Sequence, residues 1–432
     1  METNPSKPLV AAVVGAGPGG LIAAAALRNR GIAATIFERA SGADKLTVGA
    51  GVNLMQPAVA VMKAEGLWEG QGVGSCNDPS DIFYFHDAGN DSTVRAVDLR
   101  ARYGAPYYTV RRGDVSAALL KTLPGNGPKY GKGVASVVES DDGTTRLKFA
   151  DGSTSSPFDV VVAADGIASS LRSYVLDGAS LPQQESAIVN IIGIFPKAEL
   201  NAGAEPVGSM VVARALEARA GFTVHLDPAM TLILSTVTPT HVMWSVAVNA
   251  ALLPRGCDDS DEALRAFLTK HESEPPPSAF VKAAIAACVA HTPRAPHEDA
   301  VYLWRLRDTG PAPTFVRGRV ALIGDAAHPA LPWTGLGISA AALDAQRLAD
   351  ALAVPGVAVA DALAAYDADR RPVDHAVQQA ARASDGGQGP SAYNTGRVAL
   401  RLVPLKLMYG VQDKLVKDAG GEVNAGWGCA VA

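Results

Sequence analysis

Residues 9–20 read Leu-Val-Ala-Ala-Val-Val-Gly-Ala-Gly-Pro-Gly-Gly, and this stretch decides the fold. The run 9–15, LVAAVVG, is continuously apolar and ends in glycine, the pattern of a parallel strand buried on both faces. Gly15, Gly17 and Gly20 satisfy GxGxxG, with Pro18 and Gly19 opening the segment that follows. The alanine-rich run LIAAAALRNR predicts a helix, stopped by Gly31. A second strand, ATIFER, carries Glu38 near its end. Strand, glycine turn, helix, strand and acid in this order form the setting of a dinucleotide site. Gly15 permits the tight turn, Gly17 lets backbone approach a pyrophosphate, and Gly20 lets helix and strand pack closely. The phosphates would sit on the helix N-terminus, where free N–H groups and the dipole favour anions. Glu38 is placed to accept from ribose hydroxyls and would repel a 2′-phosphate, so this site suits FAD or NAD rather than NADP.

The rest of the chain narrows the partners. Its 432 residues suggest two or three domains. The net charge of −5 and the absence of a basic block argue against nucleic acid. Cys76, Cys257, Cys288 and Cys429 show no CxxC pair and no zinc spacing, so we read them as reduced thiols of a cytoplasmic protein, with no metal site. The polar start and the glycines within 9–26 argue against a signal peptide or a membrane span. Residues 398–416 carry Arg401, Lys406, Asp413 and Lys414 and read as an amphipathic helix containing Pro404, not as a span.

Two later motifs decide the cofactor. Residues 160–172 read VVVAADGIASSLR, and 318–328 read GRVALIGDAAH, followed by PALPWTGLG. Each is an apolar strand running into an acidic turn, Asp165-Gly166 and Gly324-Asp325. With these three motifs in this order, the sequence resembles the class A flavoprotein monooxygenases, the para-hydroxybenzoate hydroxylase-like family, over roughly residues 9–385. The resemblance implies FAD as cofactor and NADPH or NADH as co-substrate. It implies that Asp325 binds a ribitol hydroxyl, that Asp165 serves both FAD and the nicotinamide, that Arg39 lies near the adenosine, and that Pro332 lies against the flavin ring. It also implies an FAD-contacting arginine at Arg111 or Arg112; the helix register, with Val115 and Leu119, favours Arg112. Gly335-Leu336-Gly337-Ile338 opens the helical run ISAAALDAQRLADAL, whose N-terminus would face the flavin edge where charge gathers on reduction. Relatives commonly carry Gly-Gln-Gly and then Asn here; Leu336 and Ser339 depart from that pattern.

The expected fold is α/β: a Rossmann-like FAD-binding domain with an inserted substrate domain on a mostly antiparallel sheet, plus a C-terminal helix. The FAD-binding domain takes 1–75, 105–180 and 300–385, the substrate domain 76–104 and 181–299, and a helical segment 386–432. Strand patterns run through AIVNIIGIF, SMVVARALE, GFTVHL, MTLILSTV and HVMWSVAV. VYLWRLRD (301–308) reads as the return to the first domain, and GGQGP (386–390) as a hinge.

The resemblance implies insertion of one oxygen atom from O2, by hydroxylation or epoxidation, through a flavin C4a-hydroperoxide. Alternatives are an oxidase or reductase without oxygen insertion, or a flavin-binding protein without catalysis. Candidate catalytic residues are Pro332, His225 as a base, and Tyr108 (or Tyr107), with His241 behind them. Trp333 is a candidate cavity wall, and His328 reads as structural. Arg214 and Arg219 are the only candidate anion contacts and form no strong carboxylate pair, so a neutral aromatic or polycyclic substrate is expected, acted on by a monomer or homodimer.

Overall fold

The computed structural model describes residues 8–46, 49–87, 92–140, 143–202, 222–227, 230–254, 259–270, 277–383, 385 and 403–424. Its strands are β1 (Val10–Val14), β2 (Ala33–Phe37), β3 (Gly51–Leu54), β4 (Ile82–Asp87), β5 (Ser92–Asp98), β6 (Tyr108–Arg111), β7 (Val134–Glu139) and β8 (Thr145–Phe149). They continue as β9 (Val160–Ala163), β10 (Gln183–Pro196), β11 (Phe222–Leu226), β12 (Thr231–Thr238), β13 (His241–Asn249), β14 (Tyr302–Thr309), β15 (Val316–Arg317) and β16 (Val320–Leu322).

The first sheet has the order β15-β16-β9-β1-β2, parallel except where β15 meets β16. Ala11, Ala12 and Val13 are fully buried, as an apolar run covered on both faces must be. Because β1, β9 and β16 run side by side in one direction, their C-terminal ends share an edge. That edge receives the glycine turn and both acidic turns, the position where open α/β sheets bind ligands. Pro18–Asn29 and Gly337–Leu352 form helices packed on each other. Small residues allow this: a Cβ added at Gly19 would lie 3.3 Å from the Cβ of Ala341.

The second sheet has the order β14-β10-β13-β12-β11-β4-β5 and is antiparallel except for the β11–β4 pair. Its two faces have different jobs. Ile191, Leu232, Leu234, Trp244 and Val246 form a core together with residues of the helices Asp261–Lys270 and Ala279–His291. On the opposite face, Ile192, Ile194, Val237 and Met243 cluster with Ala50 and Tyr302, toward the first domain.

One boundary differs from expectation. Residues 301–308, read from sequence as the return to the first domain, fall largely in β14 (Tyr302–Thr309), which pairs with β10 along the edge of the second sheet. Their alternation explains it: Tyr302 joins the inner cluster and Leu303 the outer core, the period-two signature of a sheet strand. The strand expected at SMVVARALE and the hinge at GGQGP lie outside the described residues. The C-terminal helix is Val403–Asp418. Among the described residues no helix is long and apolar enough to cross a membrane.

Candidate cofactor and active site

The glycine turn is built by contacts that only glycine permits. Gly15 has φ of 103° and donates to the Phe37 carbonyl at 2.8 Å. A Cβ there would lie 2.4 Å from the Ala164 carbonyl oxygen, and one at Gly20 would lie 2.0 Å from the Gly15 oxygen. Gly17 is different: nothing stands within 4 Å of its Cβ position. It is the N-cap of the helix Pro18–Asn29, which has proline in its first turn and no side-chain cap. The helix end therefore presents unpaired N–H groups to open space, an anion site by geometry. Glu38 is buried, and its two carboxylate oxygens accept from the N–H of Ala16 and of Ala40, each at 2.7 Å. It thus ties the end of β2 to the glycine turn.

The two acidic turns meet through a residue that sequence reading left without a role. Arg172 donates to the carbonyl oxygens of Asp325 and Ala326, both at 2.7 Å, and of Ile167 at 2.8 Å. Its guanidinium fork joins the Asp165-Gly166 turn to the Gly324-Asp325 turn. Asp165 accepts through Oδ2 from the Ser170 N–H at 2.8 Å, so it does cap the following turn. Its Oδ1, however, is buried without a partner among the described residues. Asp325 lies in a concavity: the side chain reaches the surface, yet its surroundings are crowded enough for lost hydration to raise its carboxyl pKa. His328, Arg112 and Arg172 oppose that rise.

The Arg111 and Arg112 alternatives separate. Arg111 pairs with Asp299. Arg112 makes no side-chain hydrogen bond or ion pair among the described residues, lies over Gly49, whose Cβ position is 3.4 Å from Arg112 Cδ, and acts on Asp325. Its charge is left for the cleft. Arg39 is exposed next to Glu38, with its Cβ near Gly133.

Across the cleft, Pro332–Thr334 form a short turn, and Gly335 adopts φ of 66° before the helix Gly337–Leu352. That helix has no side-chain cap either. Leu336 is fully buried in the core. Ser339 is fully buried, and its hydroxyl is unpartnered. Gly337 and Ile338 remain at the surface of the helix end.

Beneath the Gly324-Asp325 turn lies a charged network. Asp344 accepts from the Gly324 N–H at 2.9 Å, from His328 Nε2 at 2.6 Å and from Arg370 Nε at 2.9 Å. Arg370 also reaches Asp374 at 2.6 Å. Burial alone would lower the His328 pKa, but Asp374 and Asp344 raise it to about 9. Asp344 is held well below the carboxylate range by His328 and Arg370 despite its burial. His328, Asp344 and Asp374 have donor atoms close enough to hold a metal ion, but Arg370 already supplies the cation among them.

Two catalytic candidates are not at this site. His225 faces the outer, helix-covered side of the second sheet: it opposes Leu232 in register and packs on Phe280 at 5.0 Å and on His86 at 4.9 Å. Strand alternation put a histidine on this sheet but did not say which face covers the cofactor. Tyr108 packs edge-on to Trp68 at 4.8 Å, and the charges that act on its hydroxyl are Arg100, Glu69 and Asp81, none from the cofactor cleft. Tyr107 is buried against Phe83 and donates to the Ile82 carbonyl. His241 binds the Thr240 hydroxyl in a turn, and the Trp333 indole donates to Asp385 at 3.0 Å. Arg214 and Arg219 lie outside the described residues.

The site fits FAD on observations of its own: open space above a bare helix N-terminus, an unpartnered Asp165 oxygen, a concave Asp325 and an Arg112 cation with no ion pair. The comparisons agree. Residues 9–381 match the family described as FAD binding domain. The chain is 29% identical over 346 residues to 6-hydroxynicotinate 3-monooxygenase of Bordetella bronchiseptica, covering 79% of this chain and 82% of that protein. It is 31% identical over 389 residues to salicylate hydroxylase of Pseudomonas putida, covering 85% and 83%. Klebsiella pneumoniae HpxO, solved with FAD and uric acid, shares the fold with a TM-score of 0.76 at 24% identity, over 94% of this chain and 97% of that one.

Proposed function

This chain belongs to the FAD-binding-domain family of class A flavoprotein monooxygenases, and on that premise we propose that it uses NADPH or NADH and O2 to insert one oxygen atom into an aromatic or polycyclic small molecule. The observation that carries the reading is the convergence of three turns, at Gly15–Gly20, Asp165-Gly166 and Gly324-Asp325, on one sheet edge that faces the inner side of a second sheet. The relatives named above act, by their names, on ring compounds that bear hydroxyl groups.

FAD, when bound, supplies the redox chemistry that takes electrons from the nicotinamide and activates O2. The chain's own residues do the rest. The helix N-terminus at Gly17 receives the pyrophosphate, with Glu38 and Arg39 toward the adenosine. Arg112, Asp165 and Asp325 line the path to the ribityl chain. The uncapped helix end at Gly337 and Ile338 would place a favourable dipole beside the ring system of the bound cofactor. Pro332 fixes the backbone at the opposite wall, and the inner sheet face excludes water. We place the protein in the cytoplasm as a monomer or homodimer; the unpaired thiols of Cys76 and Cys288 support a reducing compartment.

The test is direct. NADH or NADPH is added anaerobically to the yellow protein, then 18O2 with candidate aromatics. Reduction of the flavin by the nicotinamide, followed by a product carrying one 18O, is the expected result. Reduction of the flavin by the substrate itself, without nicotinamide and with no 18O in the product, replaces this reading with that of an oxidase.

A further inference from the structure

The inner face of the second sheet holds a set of side chains that the cofactor site does not use. Asn190 of β10 opposes Ala247, and Ser245 of β13 opposes Ile192, so Asn190 and Ser245 are diagonal neighbours on one face. Such neighbours stand about 7 Å apart. Asn190 is 5% exposed and Ser245 is 4% exposed, yet Asn190 Oδ1 and Ser245 Oγ have no hydrogen-bond partner among the described residues. Leaving a buried polar atom unpaired costs roughly 1–3 kcal/mol, so two together on one face call for a partner from outside the chain. Trp304 of β14 directly opposes Asn190 and is 41% exposed, a large aromatic surface open beside them.

The position of this set is bracketed from both ends. On one side Ile192, Val237 and Met243 close onto Ala50, with Met243 Sδ 3.0 Å from the Gly51 N–H nitrogen. On the other, Leu306 packs against Leu331, next to Pro332. Asn190, Ser245 and Trp304 lie between those contacts, on the sheet face turned toward the first domain.

We propose that Asn190, Ser245 and Trp304 recognise the substrate, and that this substrate is an uncharged planar aromatic with a hydrogen-bond donor on its edge, a phenolic O–H or a ring N–H, rather than an aromatic carboxylate. The inference rests on the monooxygenase reading and names the substrate class for it. The Asn190 carbonyl oxygen only accepts, so it selects a donor; the Ser245 hydroxyl takes either role. The Trp304 face stacks on the ring. Among the described residues, the neighbours on the same face, Ile192, Ile233, Ala247 and Tyr302, offer no cation to neutralise a carboxylate. Arg112 is the cation that acts on Tyr302, and it belongs to the cofactor cleft.

The FAD-loaded protein is titrated with 2-hydroxypyridine and 2-hydroxyquinoline, and with 6-hydroxynicotinate and salicylate, following the flavin absorbance. The neutral rings are expected to bind at least tenfold tighter than the carboxylates. Asn190→Leu, Ser245→Ala and Trp304→Ala are each expected to weaken neutral-ring binding about tenfold, with FAD content and melting temperature unchanged. Tighter binding of the carboxylates, no flavin perturbation by either neutral ring, or unchanged neutral-ring Kd in all three variants overturns the proposal. Neutral rings that bind as expected but are never oxygenated with NAD(P)H and O2 uphold this recognition set and overturn the monooxygenase reading instead.

Discussion

The guanidinium of Arg172 lies 2.7 Å from the backbone carbonyl of Asp325, across 153 residues of sequence. With its bonds to Ala326 and Ile167, it makes one rigid floor from two separate turns. Replacing it with leucine strands these carbonyls, at roughly 1–3 kcal/mol for each that stays buried. Arg172→Leu is therefore expected to purify with little flavin and to melt several degrees lower. Arg172→Lys should recover only part of this, because an ammonium cannot span the fork. The flavin-to-protein absorbance ratio and thermal unfolding measure both effects; a leucine variant as yellow and as stable as the parent rules out the joint.

Two glycines three apart in the same motif should behave oppositely. A Cβ at Gly20 would sit 2.0 Å from a backbone oxygen, so Gly20→Ala must displace the helix or the strand and is expected to unfold or aggregate. Gly17 has φ of −67° and open space around its Cβ position, so Gly17→Ala is expected to keep the apoprotein's melting temperature while weakening FAD at least tenfold. Calorimetry of the apoprotein and FAD titration separate these outcomes. Equal FAD affinity in Gly17→Ala means that the pyrophosphate does not approach there.

His225 is packed, not poised. Burial first, then the neighbouring His86, push its pKa down to about 3. A folded pKa below the ordinary value of about 6.5 means that the unfolded chain takes up the proton first. The stability this ring confers is present above pH 6.5 and is lost as pH falls toward 3. His225→Phe is expected to keep turnover within about twofold and to melt less steeply than the parent between pH 6.5 and 4. A loss of turnover of a hundredfold or more with the fold intact returns His225 to the mechanism.

His328 has the opposite sign. Its folded pKa of about 9 exceeds the ordinary value, so its contribution is complete below pH 6.5 and disappears as pH rises through 9. At about 1.4 kcal/mol per pH unit, the upper bound across that window is about 3 kcal/mol. The parent is expected to lose melting temperature between pH 6.5 and 9.5, and His328→Asn, already weakened, should show a flatter profile. Parallel profiles for the two proteins contradict a charged His328.

The sequence revealed whatever is written in local backbone chemistry. The tight turn at Gly15, the bare helix start after Gly17 and the strands ending at Asp165 and Asp325 each need particular residues at fixed spacing, and each stands at the sheet edge where that spacing puts it. What was not legible depends on distance or on facing. Arg172 reads as an ordinary helix arginine until β16 arrives beside β9. Asp344 and Arg370 sit on two different helices and reveal themselves only when both close under Gly324. Period-two alternation located β11 but left both faces equivalent, so His225 was assigned to the wrong one. Residues 301–308 read as a return strand because their proximity in sequence to β16 outweighs their own alternation.

The strand order β15-β16-β9-β1-β2 also sets a schedule for synthesis. The glycine turn leaves the ribosome well before its neighbours on the sheet edge, and β16 and Asp325 emerge only after the whole second sheet has been made. A nascent chain that has reached β14 owns the anion-binding helix and lacks the floor beneath it. Flavin capture must therefore be a late event, and until then the empty edge of β9 is a strand without its neighbour.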